Sequence, residues 1–131
     1  MTFLDTSAML ALLDGDEQSH AACAEMWRAL LTADERVVTT NYVLIETFAV
    51  VQRRLGLNAL QVLCADFLPL IEVIWLNKET HAAAVGALLT AACRKLSLVD
   101  CVRFEVMRQE GVKKAFTLDR HFEEQGFVCA P

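Results

Sequence analysis

The sequence predicts an α/β fold built on a mostly parallel sheet of four to five strands, and three observations carry that expectation. Short apolar or β-branched segments alternate with helical stretches along the whole chain, the pattern of a parallel sheet covered on both faces. Helix punctuation falls between those segments, at Gly56, Pro69, Asn77 and Gly111. At 131 residues, 55% of them apolar and 22% charged, the chain has the size and composition of one domain with a generous core.

Taken in order, "TFLD" is a short buried strand and "SAMLALLD" the helix after it. Residues 17 to 33 place Cys23, Met26, Trp27, Leu30 and Leu31 on one apolar stripe of a second helix. "RVVTT" is the second strand. A helix from about Asn41 stops near Leu55, because Gly56 follows, and "LNALQVLCADFL" continues as a helix to Pro69. The β-branched "IEVIWL" is a third strand. Asn77 caps a helix running to about Lys95, and another covers Leu98 to Glu110. "KKAFTL" is a fourth strand and "FVC" a short fifth. No repeat, low-complexity tract or linker interrupts the series, so residues 1–131 read as a single domain.

The five cysteines are odd in number and contain no C-x-x-C pair, which argues against a disulfide framework or a thiolate zinc site. They are expected as small buried hydrophobes in a reducing compartment, as Trp27 and Trp75 are expected in the core. No apolar run is long enough to span a membrane, and no basic leader precedes "MTFLDTSAML", so the expected location is cytoplasmic, with no membrane partner. The net charge of −5 is not the basic footprint of a nucleic-acid binder. Residues 1–50 hold two basic and eight acidic side chains, and a bound cation would invert the sign of such an acidic cleft.

Four acids stand out by position. Asp5 and Asp119 follow the first and fourth strands, where ligands of parallel sheets bind, although either could simply cap a helix or turn. Asp100 lies among Leu98, Val99, Cys101, Val102 and Phe104, and with Ser97 it matches a capping box. Glu46 sits mid-helix in "NYVLIETFAV", where the apolar residues point almost all round the axis and burial is expected. A buried carboxylate must be protonated, paired or metal-bound, and Arg53 and Arg54 are the nearest bases along that helix. A shared divalent cation accounts for all four acids at once. With oxygen ligands only, it would be a hard ion, Mg2+ or Mn2+.

At this point the chain resembles the PIN-domain nucleases, and within them the toxins of VapBC toxin–antitoxin pairs. The matching pieces are "FLDTSAML", "NYVLIETFAV", "LSLVDCVRFEVM" and "AFTLDRHF", in the family's order and covering residues 2 to about 127. The resemblance implies a three-layer α/β/α fold and a metal-dependent endoribonuclease that hydrolyses phosphodiester bonds in single-stranded regions of RNA. It implies Asp5, Glu46, Asp100 and Asp119 as catalytic and metal-holding residues, with Thr6 or Ser7 and Thr117 as hydroxyl partners. A homodimer and a small antitoxin protein laid across the active-site groove are further implications. Some relatives carry another acid two residues after the fourth, where this chain has His121, and Glu123 is the nearby substitute.

Substrate phosphates need cations, and Arg94, Arg103 and Arg120 are the candidates, beside Arg53, Arg54 and Lys95, most of them expected to be solvated helix faces. Two other readings stay open: an inert PIN-like module that grips a basic partner, and a non-toxin PIN nuclease in RNA processing. Cleavage by His20, His81 or His121 without a metal is disfavoured by their polar helix-edge settings. An aspartyl-phosphate phosphatase is disfavoured because no second acid lies two residues after Asp5. Repulsion among four crowded acids leads to the expectation that Asp5→Asn or Asp100→Asn holds or raises stability while abolishing cleavage.

Overall fold

The computed structural model describes residues 1–92 and 94–131. Its five strands are β1 (Thr2–Leu4), β2 (Val37–Thr40), β3 (Glu72–Ile74), β4 (Lys114–Phe116) and β5 (Val128–Ala130), paired in the order β3-β2-β1-β4-β5 and parallel throughout. The helices are α1 (Thr6–Leu13), α2 (His20–Thr32), α3 (Asn41–Leu55), α4 (Leu57–Val62), α5 (Lys78–Ala91), α6 (Leu98–Gln109) and α7 (His121–Glu124). The chain moves outward from β1 to β3, then crosses to β4 and moves outward to β5. Because such crossovers are right-handed, α1 to α4 cover one face and α5 to α7 the other, a three-layer α/β/α architecture.

The local chemistry follows the sequence closely. Thr40, Asn77 and Ser97 cap α3, α5 and α6, each accepting from a backbone N–H with its side-chain oxygen. Gly56 joins α3 to α4 with φ +87°, a region that side chains rarely adopt. Beyond α4 the expected single helix gives way to a π turn over Leu63–Phe67 and a 3-10 turn over Leu68–Leu70, where Pro69 cannot continue an α-helical ladder. The helix after Asn77 is shorter than expected: it ends at Ala91, where Ala92 turns left-handed.

The sheet centre is dry. Thr2, Phe3 and Leu4 of β1 are all buried. Phe122 packs on Phe3 and edge-on against Phe104, 5.2 Å between centroids, while Phe127 stacks on Phe104 and lies under Arg108. This aromatic group fastens α6 and α7 to the central strand, next to the strand ends that carry Asp5 and Thr117.

Three burial expectations are corrected. Cys64 is exposed, whereas Cys23 and Cys101 are buried, and Cys93 lies outside the described residues. Trp27 is in the core, but Trp75 is 74% exposed. Helix α3 is not buried all round: Ile45 is 69% exposed and Ala49 is also at the surface, so Glu46 is only half-buried. The apolar run reaches both the core and the surface, which periodicity alone cannot distinguish.

Phe122→Ala removes a fully buried ring from this cluster and should cost about 3–5 kcal/mol in denaturant unfolding, with the β4–α7 region losing amide-exchange protection first.

Candidate active site

In a parallel sheet whose strand order reverses, the side chains at the carboxyl ends beside the reversal share one crevice. Here the reversal lies between β1 and β4, so Asp5, directly after β1, and Thr117, directly after β4, are brought together. Asp5 is 1% exposed and serves as the N-cap of α1. Its Oδ2 accepts from Ser7 Oγ and from Thr117 Oγ1, both at 2.9 Å. Those hydroxyls are themselves oriented from behind: Leu118 N–H donates to Ser7 Oγ at 2.9 Å, and Asp119 N–H to Thr117 Oγ1 at 3.0 Å. Each hydroxyl is thus placed to donate to Asp5, and the two also lie 3.1 Å from each other.

The other oxygen of Asp5 faces a cation. Arg103 of α6 is buried, and its guanidinium is bracketed by three acids. Nη2 donates to Glu46 Oε1 at 2.6 Å and Nη1 to Asp100 Oδ1 at 3.0 Å. Nε stands 3.1 Å from Asp5 Oδ1, within ion-pair range, yet neither atom has a well-directed hydrogen bond although both are buried. The contact there is Coulombic, with the N–H aimed off the line of the oxygen. Asp100 meanwhile completes the expected capping box, its Oδ2 accepting from Ser97 N–H at 2.9 Å. One carboxylate thus caps α6 with one oxygen and holds Arg103 with the other.

Asp119 lies at the edge of this group. Its Oδ1 accepts from His121 N–H at 2.9 Å and sits 3.1 Å from His121 Nδ1, and its backbone N–H is linked to Asp5 through Thr117 Oγ1. With Thr117, Arg120, Glu123 and Cys129 it lines a shallow cleft of about 190 Å³. Burial pushes the Cys129 thiol up from its ordinary value, and the nearby Glu123, Asp119 and Asp5 charges push the same way, so this sulfur stays protonated at neutral pH.

The structure corrects the expectations for two of the proposed supporting residues. Thr6 turns away from the acids, contacting Val43 O and accepting from Thr47 Oγ1, because adjacent helical residues point about 100° apart. Ser7 is the hydroxyl partner. Arg103, a candidate for substrate phosphate, is instead enclosed by carboxylates, while Arg94 and Arg120 are exposed. The base beside Glu46 is therefore Arg103 rather than Arg53 or Arg54, which are exposed at the helix end. Its sequence signature was only its place three residues after Asp100, on the same helix face.

The donors suit a hard cation in kind: all are carboxylate or hydroxyl oxygens, and Asp5 Oδ1 is a buried oxygen without a hydrogen bond. As arranged, the position where Asp5, Glu46 and Asp100 converge is taken by a guanidinium. Among the described residues, no group of three or more His, Cys, Asp or Glu side chains stands ready-made for a metal. Also among the described residues, no helix is long and apolar enough to cross a membrane.

An all-parallel sheet between two helical layers, with acids gathered at its topological switch point, places the chain among α/β proteins whose sites lie at the carboxyl ends of their strands. More narrowly, the chain belongs to the PIN-domain family, whose profile matches residues 2–128. It is 31% identical over 129 residues to the 23S rRNA-specific endonuclease VapC20 of Mycobacterium tuberculosis, covering 98% of this chain and 96% of that protein. The crystal structure of VapC20, described as a sarcin-ricin loop cleaving toxin, superimposes with a TM-score of 0.87 over the full length of both chains at 30% identity. The fold is also that of VapBC2 from Rickettsia felis bound to a promoter DNA fragment, with a TM-score of 0.72 at 13% identity over 98% of this chain and 96% of that one. FitAcB from Neisseria gonorrhoeae likewise matches over 100% and 97% of the two chains, with a TM-score of 0.71 at 16% identity.

Arg103 reverses the stability expected of the acid-removing variants. Each acid contacts a different nitrogen of the guanidinium, at 2.6 to 3.1 Å, so removing an acid also removes a close attraction to the cation. Asp5→Asn would also set an amide against Arg103 or the two hydroxyls. It should lower stability by about 1–3 kcal/mol in urea unfolding at neutral pH, and an unchanged or raised midpoint would restore the repulsion-based view.

Proposed function

We propose that residues 1–131 form one PIN domain that acts as a divalent-metal-dependent endoribonuclease, hydrolysing phosphodiester bonds in single-stranded regions of RNA, as the toxin of a toxin–antitoxin pair. The observation that carries this reading is the convergence of Asp5, Glu46 and Asp100 on one buried point, with Asp119 on the adjoining strand end, in a chain of this family. The likeness to VapC20 supports RNA as the substrate and makes a sarcin-ricin hairpin the first RNA to assay.

Asp5, Asp100, Asp119 and Glu46 are the residues that would hold Mg2+ or Mn2+. When bound, such an ion supplies a lowered water pKa and neutralises charge at the phosphodiester. Ser7 and Thr117 fix Asp5 through Oδ2, which leaves Oδ1, the oxygen now against Arg103, as its ligand direction. Arg120, exposed beside Asp119, and Arg94, exposed just before α6, remain our candidates for contacting the RNA backbone.

The homodimer has a candidate surface. Ile45 and Trp75 stand exposed at an apolar cleft of about 430 Å³ that Asn41, Leu44 and Phe48 complete, and a second cleft beside it reaches Glu46. A patch of this kind on a small soluble chain marks an interaction surface, and we assign it to a second copy, leaving the crevice near Asp5 to a small antitoxin protein. An inert binding module is favoured by one observation, the engagement of three acids by Arg103.

Cleavage separates the two readings. Wild-type protein with Mn2+ should cut the hairpin, chelator should stop it, and Asp5→Asn, Asp100→Asn and Asp119→Asn should each reduce the rate at least about a hundredfold. Cutting that survives chelation, or no cutting with either ion, would sink the nuclease reading. For the interface, Ile45→Arg with Trp75→Arg should convert a sedimenting dimer to monomer, and an unchanged sedimentation coefficient would remove this face from consideration.

A further inference from the structure

We propose that Arg103 is the resident cation of the acidic site: its guanidinium fills the point where Asp5, Glu46 and Asp100 converge, so a divalent ion gains these three carboxylates only as Arg103 withdraws. This rests on the metal-dependent reading above and adds a gate to it, set by a residue of the chain itself.

Besides helping to dock α6, Arg103 occupies the oxygens that a metal would need. All three nitrogens of its guanidinium meet acids, Asp5 at the N-cap of α1, Glu46 of α3 and Asp100 of α6, at 3.1, 2.6 and 3.0 Å, and its side chain is 5% exposed. Placing a second, doubly charged cation against a buried guanidinium would be repulsive, so the two compete for the same oxygens rather than add. Two features make withdrawal feasible. The contact between Nε and Asp5 Oδ1 lacks a directed hydrogen bond on either side, so the deepest acid is also the least firmly held to the arginine. Glu46, the most exposed of the three acids at 33%, lines an open cleft of about 320 Å³ with Tyr42, Ile45, Ala49 and Val99. That cleft, at the edge of the face assigned to a second copy, offers the long side chain a place to swing as it releases Glu46.

The test uses Mn2+ alone, without RNA, on wild-type protein, Arg103→Gln and Arg103→Lys. Calorimetric titration should show Arg103→Gln binding Mn2+ about tenfold more tightly than wild type, with Arg103→Lys between them because a shorter, single-headed cation competes less well. In parallel, Arg103→Gln should melt below wild type without metal, and saturating Mn2+ should raise its Tm by more than it raises that of wild type. A merely structural arginine would lower the Tm without changing metal affinity. Equal affinities in all three proteins overturn the proposal, and if wild type still cleaves RNA with Mn2+ the nuclease reading survives that failure. Absence of Mn2+ binding in all three overturns both. Should Arg103→Gln not fold even with Mn2+, Arg103→Lys decides: tighter binding than wild type supports competition, and equal or weaker binding refutes it.

Discussion

Three carboxylates and one guanidinium, drawn together where three segments meet, constrain the rest of this structure. Asp5 is essentially buried, and a charge in that position must be compensated or neutralised. Compensation comes from α6, whose Arg103 reaches the N-cap of α1 and the middle of α3 at once. The docking of α6 on α1 and α3 is therefore not set by apolar packing alone. It is also fixed by the need of each acid for one edge of the same planar cation.

The fold makes this arrangement available through strand order. Reversal of the connections between β1 and β4 opens a crevice at their carboxyl ends, and the residues directly after those strands face each other there although more than a hundred positions apart. Aromatic packing of Phe104, Phe122 and Phe127 then holds α6 and α7 at a fixed distance from β1. The hydroxyl bracket of Ser7 and Thr117 is backed by amides of the β4–α7 connection, so core packing is transmitted to the orientation of a single carboxylate oxygen.

Element order was legible because it is a local matter: caps at Asn77 and Ser97, the glycine stop at Gly56, and apolar runs of strand length all act within a few residues. Asp5 and Asp119 were legible for a similar reason, since a position just past a strand is visible in the string. What escaped was the direction of side chains around a helix in tertiary context. Thr6 and Ser7 are neighbours, yet one bonds within the α1–α3 contact and the other turns to Asp5. The apolar surroundings of Glu46 and the ring of Trp75 resembled core, because an exposed apolar patch and a buried one have the same composition in the string. Arg103 resembled any basic residue on a helix, and only the spatial convergence of three distant acids gives it a different character.

Capping and chemistry were competing explanations of Asp5 and Asp100 in the sequence, and the structure removes the competition by dividing each carboxylate. Asp100 gives Oδ2 to the backbone of Ser97 and Oδ1 to the site, while Asp5 caps α1 with the oxygen that the two hydroxyls also hold and turns the other toward Arg103. A cap fixes its own side chain as firmly as it fixes the helix, since the same hydrogen bond restrains both partners. The helix ends thus hold Asp5 and Asp100 in place independently of any divalent ion, the kind of preorganisation that the proposed catalysis would require. A residue with a complete structural explanation can still be a working residue, provided that one of its polar atoms remains uncommitted to the helix.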